Sequence, residues 1–388
     1  MESSGSTTAT LEATEGAGTV TARRDVDTML LVGTTKGLFS LRAHDGGERF
    51  ELDGPSFPGE EVYATCIDTR SSPARLFVGS VSMHWGPVLR RSDDLGGSWT
   101  EDETAALIFP PGSDAALAKI WQLAPGPTDE PDVVYAGVEP AALFRSEDGG
   151  RHFSLVEGLW NHPHRPEWVP GGGGLCLHTV LLHPDDPERL LVAISAAGVY
   201  LTDDGGRTWR ASNRGIVAGF FPDDPEPEFG QCVHKVARDA GDPERLYLQH
   251  HGGIYRSDDG GGSWQPMTGI AGMDFGFPVV AHPTRSGTAY LLPLESDGFR
   301  CTPNGRCTVW RTSDGGASWE PLTDGLPQPD AHLTVLRDAF TTDGQEPAGL
   351  YLGTRSGEVW GSVDDGDSWR LLADHLPPVL SVRAAPLR

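Results

Sequence analysis

The sequence predicts an all-β chain folded as a seven-bladed β-propeller of four-stranded antiparallel blades, with residues 27–388 forming a single domain. Three observations predict it. An octet of the pattern Ser/Thr-x-Asp-x-Gly-x-x-Trp/Phe recurs six times, and a seventh copy keeps Asp45, Gly47 and Phe50 but has Ala43 in place of the hydroxyl. Between octets lie short alternating apolar runs separated by Asp-Pro-Glu or Gly-Gly turns, the signature of half-buried antiparallel strands. Finally, Gly 50 and Pro 31 in 388 residues, with no long helical periodicity, favour many short strands.

Taken in chain order, residues 1–26 (MESSGSTTATLEATEGAGTVTARRDV) are polar, lack the apolar core of a signal peptide and are expected to be a disordered tail. The octets end on Phe50, Trp99, Phe153, Trp209, Trp264, Trp319 and Trp369, at spacings of 49 to 56 residues, so each repeat is one blade. Before the octet of the fourth repeat come LHTVLLHP, ERLLVAIS and GVYL; the fifth reads VHKVARD, ERLYLQH and GIYR. The first repeat opens with TMLLVGTTKGLFSL and lacks an innermost strand, whereas the last octet is followed by a spare one, VLSVRAAPL. Pairing that C-terminal strand with the N-terminal blade closes the ring and removes the sheet edges. Five cysteines fit a reducing compartment, with Cys301 and Cys307, either side of a Pro-Asn-Gly turn, the one pair placed for a disulfide across a hairpin.

The octets SDDLGGSW, SEDGGRHF, TDDGGRTW, SDDGGGSW, TSDGGASW and SVDDGDSW resemble the Asp-box, or BNR, repeat of sialidases, sortilin-type receptors and related bacterial proteins. The resemblance implies that each octet forms the turn between the third and fourth strands of a blade. Its aspartates would then be turn residues, not catalysts, because Asp and Ser side chains bond the turn's own backbone and Gly supplies positive φ. A sialidase site is not implied: the Arg-Ile-Pro-type motif is missing, and only Arg355, with the loop residues Arg165 and Arg214, offers arginines.

With strands labelled A to D from the axis outward, the octets mark one face, and the D–A loops and B–C turns converge on the opposite end of the channel. The repeat register places Tyr63, Trp121, His178, His234, Phe277, a residue near His332, and Leu380 at the start of the A strands. Seven residues before the octets, at the ends of B strands, stand Lys36, Glu139, Ser195, His250 and Arg355. Polar side chains at such repeat-equivalent positions mark a candidate site. The loop 158–174 adds His162, His164, Arg165, Glu167, Trp168 and four glycines, and the loop 213–230 follows it around the ring.

The formal charge of −25 excludes nucleic acid and anionic lipid as partners, and no run of about 18 apolar residues spans a membrane, so a cytoplasmic protein is expected. The leading functional expectation is a small-molecule enzyme acting at the channel mouth: a metal-assisted hydrolase, lyase or oxygenase. Its ligand set would be His178, His234, His250 and His84, holding a divalent transition metal (Zn, Fe, Cu or Mn). Glu139 would be the base, Lys36 and Arg355 would hold an anionic group, and Trp121, Tyr63, His251, Glu167 and Trp168 would contact substrate. A plainer reading has His178 and His234 bonding neighbouring backbone, no cofactor, and Cys176 and Cys232 as buried filler. The same residues also suit a binding scaffold for a protein or ligand, or a glycoside hydrolase or carbohydrate binder using Glu139, Glu167 and Glu295.

Overall fold

The computed structural model describes residues 9–10, 27–44, 46–101, 107–270 and 274–387. Seven sheets stand around an axis, and neighbouring sheets meet through their A strands. Blade one takes its A strand from the C-terminus, Val379–Pro386, which pairs antiparallel with Thr28–Thr34 from the N-terminus. The ring is thus closed by strands from opposite ends of the chain. Blade four shows the standard order: A is Leu177–His183, B is Asp186–Ile194, C is Gly198–Thr202 and D is Arg210–Ala211. In blade two the fourth strand shrinks to one bridge between Arg91 and Thr100. The expected tail lies outside the described residues apart from Ala9–Thr10, which form a two-residue strand on the outer edge of blade one.

B strands lie between two other strands and face a blade on each side, so they are largely apolar; Leu246–His250 and Ala289–Pro293 are buried at every position, the polar Gln249 and His250 included. The octets are fastened by a repeated network. The Ser92 hydroxyl donates to Asp94 Oδ1 at 2.7 Å and accepts from Gly96 N, while Asp94 accepts from the backbone and hydroxyl of Ser98. The same bonds recur around Asp204, Asp259, Asp314 and Asp364. These bonds favour the ionised side chain and hold the Asp94 carboxyl down at about 2. Cys301 and Cys307 are both free thiols. The disulfide that the sequence left open is not formed, and the expected hairpin tip is corrected: Pro303–Gly305 form a 3-10 turn, and Cys307 is turned into the apolar core.

Candidate functional site

At the mouth opposite the octets, the A–B pairing slips by a residue in blade after blade. The slip leaves out Tyr63, Trp121, His178, His234 and Leu380 from the ladder, and Phe277 with Pro278 in blade six. Each is a β-bulge, which re-aims a side chain out of the strand's alternation. In blade seven Thr334 O accepts from Arg355 N as Cys176 O accepts from Ser195 N in blade four. Two residues on from Thr334 come Leu336, Arg337 and Asp338. They hold the seventh place at the mouth, whereas His332 is exposed and packs on Phe299.

These residues enclose a cavity of about 260 Å³ with walls of Tyr63, Trp121, Phe275, Phe277, Leu336 and Leu380, and with Cys232, His234, His251, Arg300 and Arg337 projecting into it. Asp338 closes its inner end, and the partners of that carboxylate line a separate space further along the channel. Lys235 Nζ donates to Asp338 Oδ1 at 2.7 Å and to Gln122 Oε1 at 3.2 Å, and the Arg383 guanidinium reaches the same Asp338 oxygen at 2.6 Å. Burial pulls the Lys235 ammonium down to about 8 against the opposing pull of Asp338. Burial pushes the Asp338 carboxyl up, but the charges of Lys235 and Arg383 outweigh it and hold the group below its usual range. Arg337 is buried, lies 5.3 Å from the Trp121 ring centroid, and donates to Cys176 Sγ at 3.4 Å.

The four histidines expected to share a metal do not converge among the described residues. His178 has both ring nitrogens committed: Nε2 donates to Val233 O at 3.0 Å, so Nδ1 accepts from the Thr179 hydroxyl. His250 accepts from Gly252 N at Nδ1, and its Nε2 lies buried without a partner. His84 is exposed beside Trp85 on the long turn of blade two. His234 keeps its expected place, but its neighbours are Cys232 and His251. Burial, then the charge of Arg337, pushes His178 and His234 well below the ordinary imidazole range; burial takes His250 to about 3.

Of the other candidates, Tyr63, Trp121 and His251 line the cavity. Glu139 sits at its side, accepting from Trp121 Nε1 at 2.9 Å with Lys119 Nζ at 3.9 Å. Lys36 and Arg355 are exposed and outside the lining, so they do not hold a group inside the cavity. Trp168 is buried and donates to the Tyr200 hydroxyl at 2.8 Å, which makes it an anchor of its loop rather than a substrate contact. Arg165 lies 3.2 Å from the Trp160 ring centroid, a second anchor. Glu167 and the exposed Phe220 and Phe221 border a larger groove of about 750 Å³ between the loops 158–174 and 213–230. Gly171, Cys232 and His251 border both spaces. The glycine run lets its loop lie against blade three: a Cβ on Gly174 would stand 2.3 Å from Glu139 Oε1.

Sequence reasoning missed Arg337, Asp338, Lys235, Arg383 and Arg300. A signal existed for two of them, because Lys235 interrupts the apolar run VHKVARD and Arg383 the run VLSVRAAPL. A charge inside an innermost strand is costly to bury alone and implies a partner.

Fold and site together define a seven-bladed propeller with a small, partly aromatic and positively charged cavity at one channel mouth. No family profile matches the chain. Curated relatives include a xyloglucanase of a Paenibacillus species, 24% identical over 213 residues, covering 50% of this chain and 18% of that protein. A xyloglucanase of Hypocrea jecorina is 23% identical over 312 residues, covering 74% of this chain and 36% of that protein. The chain thus spans about a fifth to a third of the length of these relatives. Among solved structures, one described as YCF48 bound to D1 peptide aligns with a TM-score of 0.49 at 13% identity, covering 89% of this chain and 85% of that one.

Proposed function

We propose that the channel mouth binds a small organic anion, and that this recognition is the core of the protein's function. One observation carries the reading. Arg337 is only 9% exposed, faces the cavity, and has no carboxylate within ion-pairing distance among the described residues. A desolvated guanidinium is costly unless an anion meets it, and its planar fork suits a carboxylate, phosphate or sulfate. Arg300 also lines the cavity, and the one lining carboxylate, Asp338, is already paired from the neighbouring space by Lys235 and Arg383, so it does not neutralise Arg337. In a chain of net charge −25 this is a local reversal of sign. Trp121, Tyr63 and Phe277 supply surfaces for an apolar or ring-shaped body.

A saccharide is the second reading, favoured by the xyloglucanase relatives and by the same aromatic surfaces. Hydrolysis of a glycosidic bond needs two facing carboxyl groups about 5–9.5 Å apart. Asp338 is the one carboxylate lining the cavity among the described residues, and two cations hold it. Thermal-shift screening with small carboxylates, phosphates, sulfonates and neutral xyloglucan oligosaccharides separates the readings. An anion at a hundredfold excess over Kd should add about 2.7 kcal/mol of stability, and Arg337→Met should abolish that gain. Stabilisation by neutral oligosaccharides alone, undiminished in Arg337→Met, overturns the anion reading.

A further inference from the structure

At the junction of the cavity and the groove, Cys232 Sγ lies 3.7 Å from His234 Nε2 and 4.0 Å from His251 Nδ1, and the three atoms are mutually within 4.8 Å. The outer nitrogen of each ring fixes which inner nitrogen carries a lone pair. His234 Nδ1 lies 2.6 Å from Gly276 O, and a carbonyl only accepts, so Nδ1 holds the proton and Nε2 is bare. His251 Nε2 faces the Asp297 carboxylate at 3.5 Å, a charge that favours the tautomer with the proton on Nε2 and a bare Nδ1. Two lone pairs therefore point at one thiol, whose single weak S–H can satisfy only one of them. A cation that displaced the thiol proton would satisfy all three groups at once.

We infer that Cys232, His234 and His251 form a metal site suited to Zn²⁺, with its fourth position open to the channel mouth. A tetrahedral Zn²⁺, with Zn–S of about 2.3 Å and Zn–N of about 2.0–2.1 Å, sets S···N near about 3.6 Å. The two observed S···N separations need only a few tenths of an ångström of adjustment, and the two ring nitrogens, within 4.8 Å of each other, must draw together to share the ion. Outer partners that orient ligating imidazoles are the usual companions of such sites, and here they are a backbone carbonyl and a carboxylate. All three side chains line the cavity, so the open position faces the space where Arg337 waits for an anion. A thiolate at Cys232 and the carboxylate of Asp297 offset the repulsion between Arg337 and the metal. The inference deepens the anion reading only in this last respect: a ligand's anionic group would bridge the metal and Arg337, and the metal would polarise it as a Lewis acid.

The test uses the full chain, stripped with chelator and titrated with Co²⁺ alone, then with Zn²⁺ in competition. The expected result is stoichiometric binding with the intense absorption of a tetrahedral Co²⁺–thiolate centre. Cys232→Ser should remove the thiolate band, His251→Ala should weaken binding at least a hundredfold, and Asp297→Asn should weaken it about tenfold. His251 is half-exposed, so its replacement tests the site even where the buried His234→Ala chain fails to fold. No stoichiometric binding, or a band unchanged in Cys232→Ser, overturns the inference. The titration contains no organic anion, and the anion screen run on chelated protein contains no metal, so either reading can fail alone.

Discussion

In blade four the bulged His178 reaches Val233 O of blade five with Nε2, and its Nδ1 is turned inward to Thr179. In blade five the bulged His234 reaches Gly276 O of blade six with the other nitrogen, Nδ1, leaving Nε2 facing Cys232. Both histidines tie one blade's A strand to the next, and both follow a cysteine by two residues. What differs is the ring's orientation and what stands beside the cysteine. Cys176 is fully buried under the Arg337 guanidinium, whereas Cys232 is partly open to two cavities and has His251 beside it. The same Cys-x-His thus serves as an inter-blade tie in one blade and as a tie plus a donor set in its neighbour.

The largest expected effect is one that the two copies share. His178, His234 and His250 are held neutral by burial, with imidazole pKa values well below the unfolded value or at about 3. The unfolded chain protonates these rings as pH falls through about 6.5, while the folded chain does not, so protons favour unfolding. Full stability is present above that pH and is lost on acidification until the folded pKa values are reached. Each ring contributes a slope of up to about 1.4 kcal/mol per pH unit, or about 3–4 kcal/mol for the three between pH 6 and 5. Urea denaturation at stepped pH measures it. Replacing His250 by Phe, which suits its contacts with Phe220 and Tyr255, should remove about a third of the slope; an unchanged slope would show that these rings are not what acid attacks.

Next in size is the loss of either tie. His178→Ala and His234→Ala each strand a backbone carbonyl and leave a void, for a combined cost of about 3 kcal/mol. The comparison predicts equal destabilisation with unequal consequences for metal. His178→Ala should leave Co²⁺ affinity within about twofold of the wild type, since neither of its nitrogens faces the donor set. A His178→Ala chain that folds but no longer binds Co²⁺ would erase the distinction between the blades.

The octets, the seven blades, the closing strand and six of the mouth positions were legible because each is a repeated backbone feature, and repetition turns weak local signals into a register. The orientation of a ring at a bulge was not legible. Whether His178 or His234 presents Nε2 or Nδ1 to the next blade depends on Thr179 in one case and Cys232 with His251 in the other, and those are tertiary contacts. Blade seven escaped for a related reason. Its extra residues Arg337 and Asp338 break the repeat spacing, so the register pointed only to a residue near His332 and passed over the guanidinium and carboxylate that shape the cavity. Trp168 misled because a loop tryptophan reads alike whether it meets solvent or, as here, a buried tyrosine hydroxyl.

The smallest effect in energy sharpens the comparison most. Burial pushes the Cys176 thiol up to about 11 and raises Cys232 as well, so neither is a fast nucleophile at neutral pH. Only Cys232 has a path to reagent, through the cavity and the groove. In the chelated protein, iodoacetamide should label Cys232 slowly and Cys176 not at all. Zn²⁺ should protect Cys232 at least tenfold while leaving the rate at Cys301, which is partly exposed and outside the donor set, unchanged. Cys176→Ser should cost about 1 kcal/mol, because a hydroxyl is harder to bury than a thiol, and should leave that protection intact. Labelling followed by peptide mass mapping reads all three cysteines in one experiment. Equal protection of Cys232 and Cys301 by Zn²⁺ would mean general tightening of the fold, and Cys232 would then be filler like its counterpart in blade four.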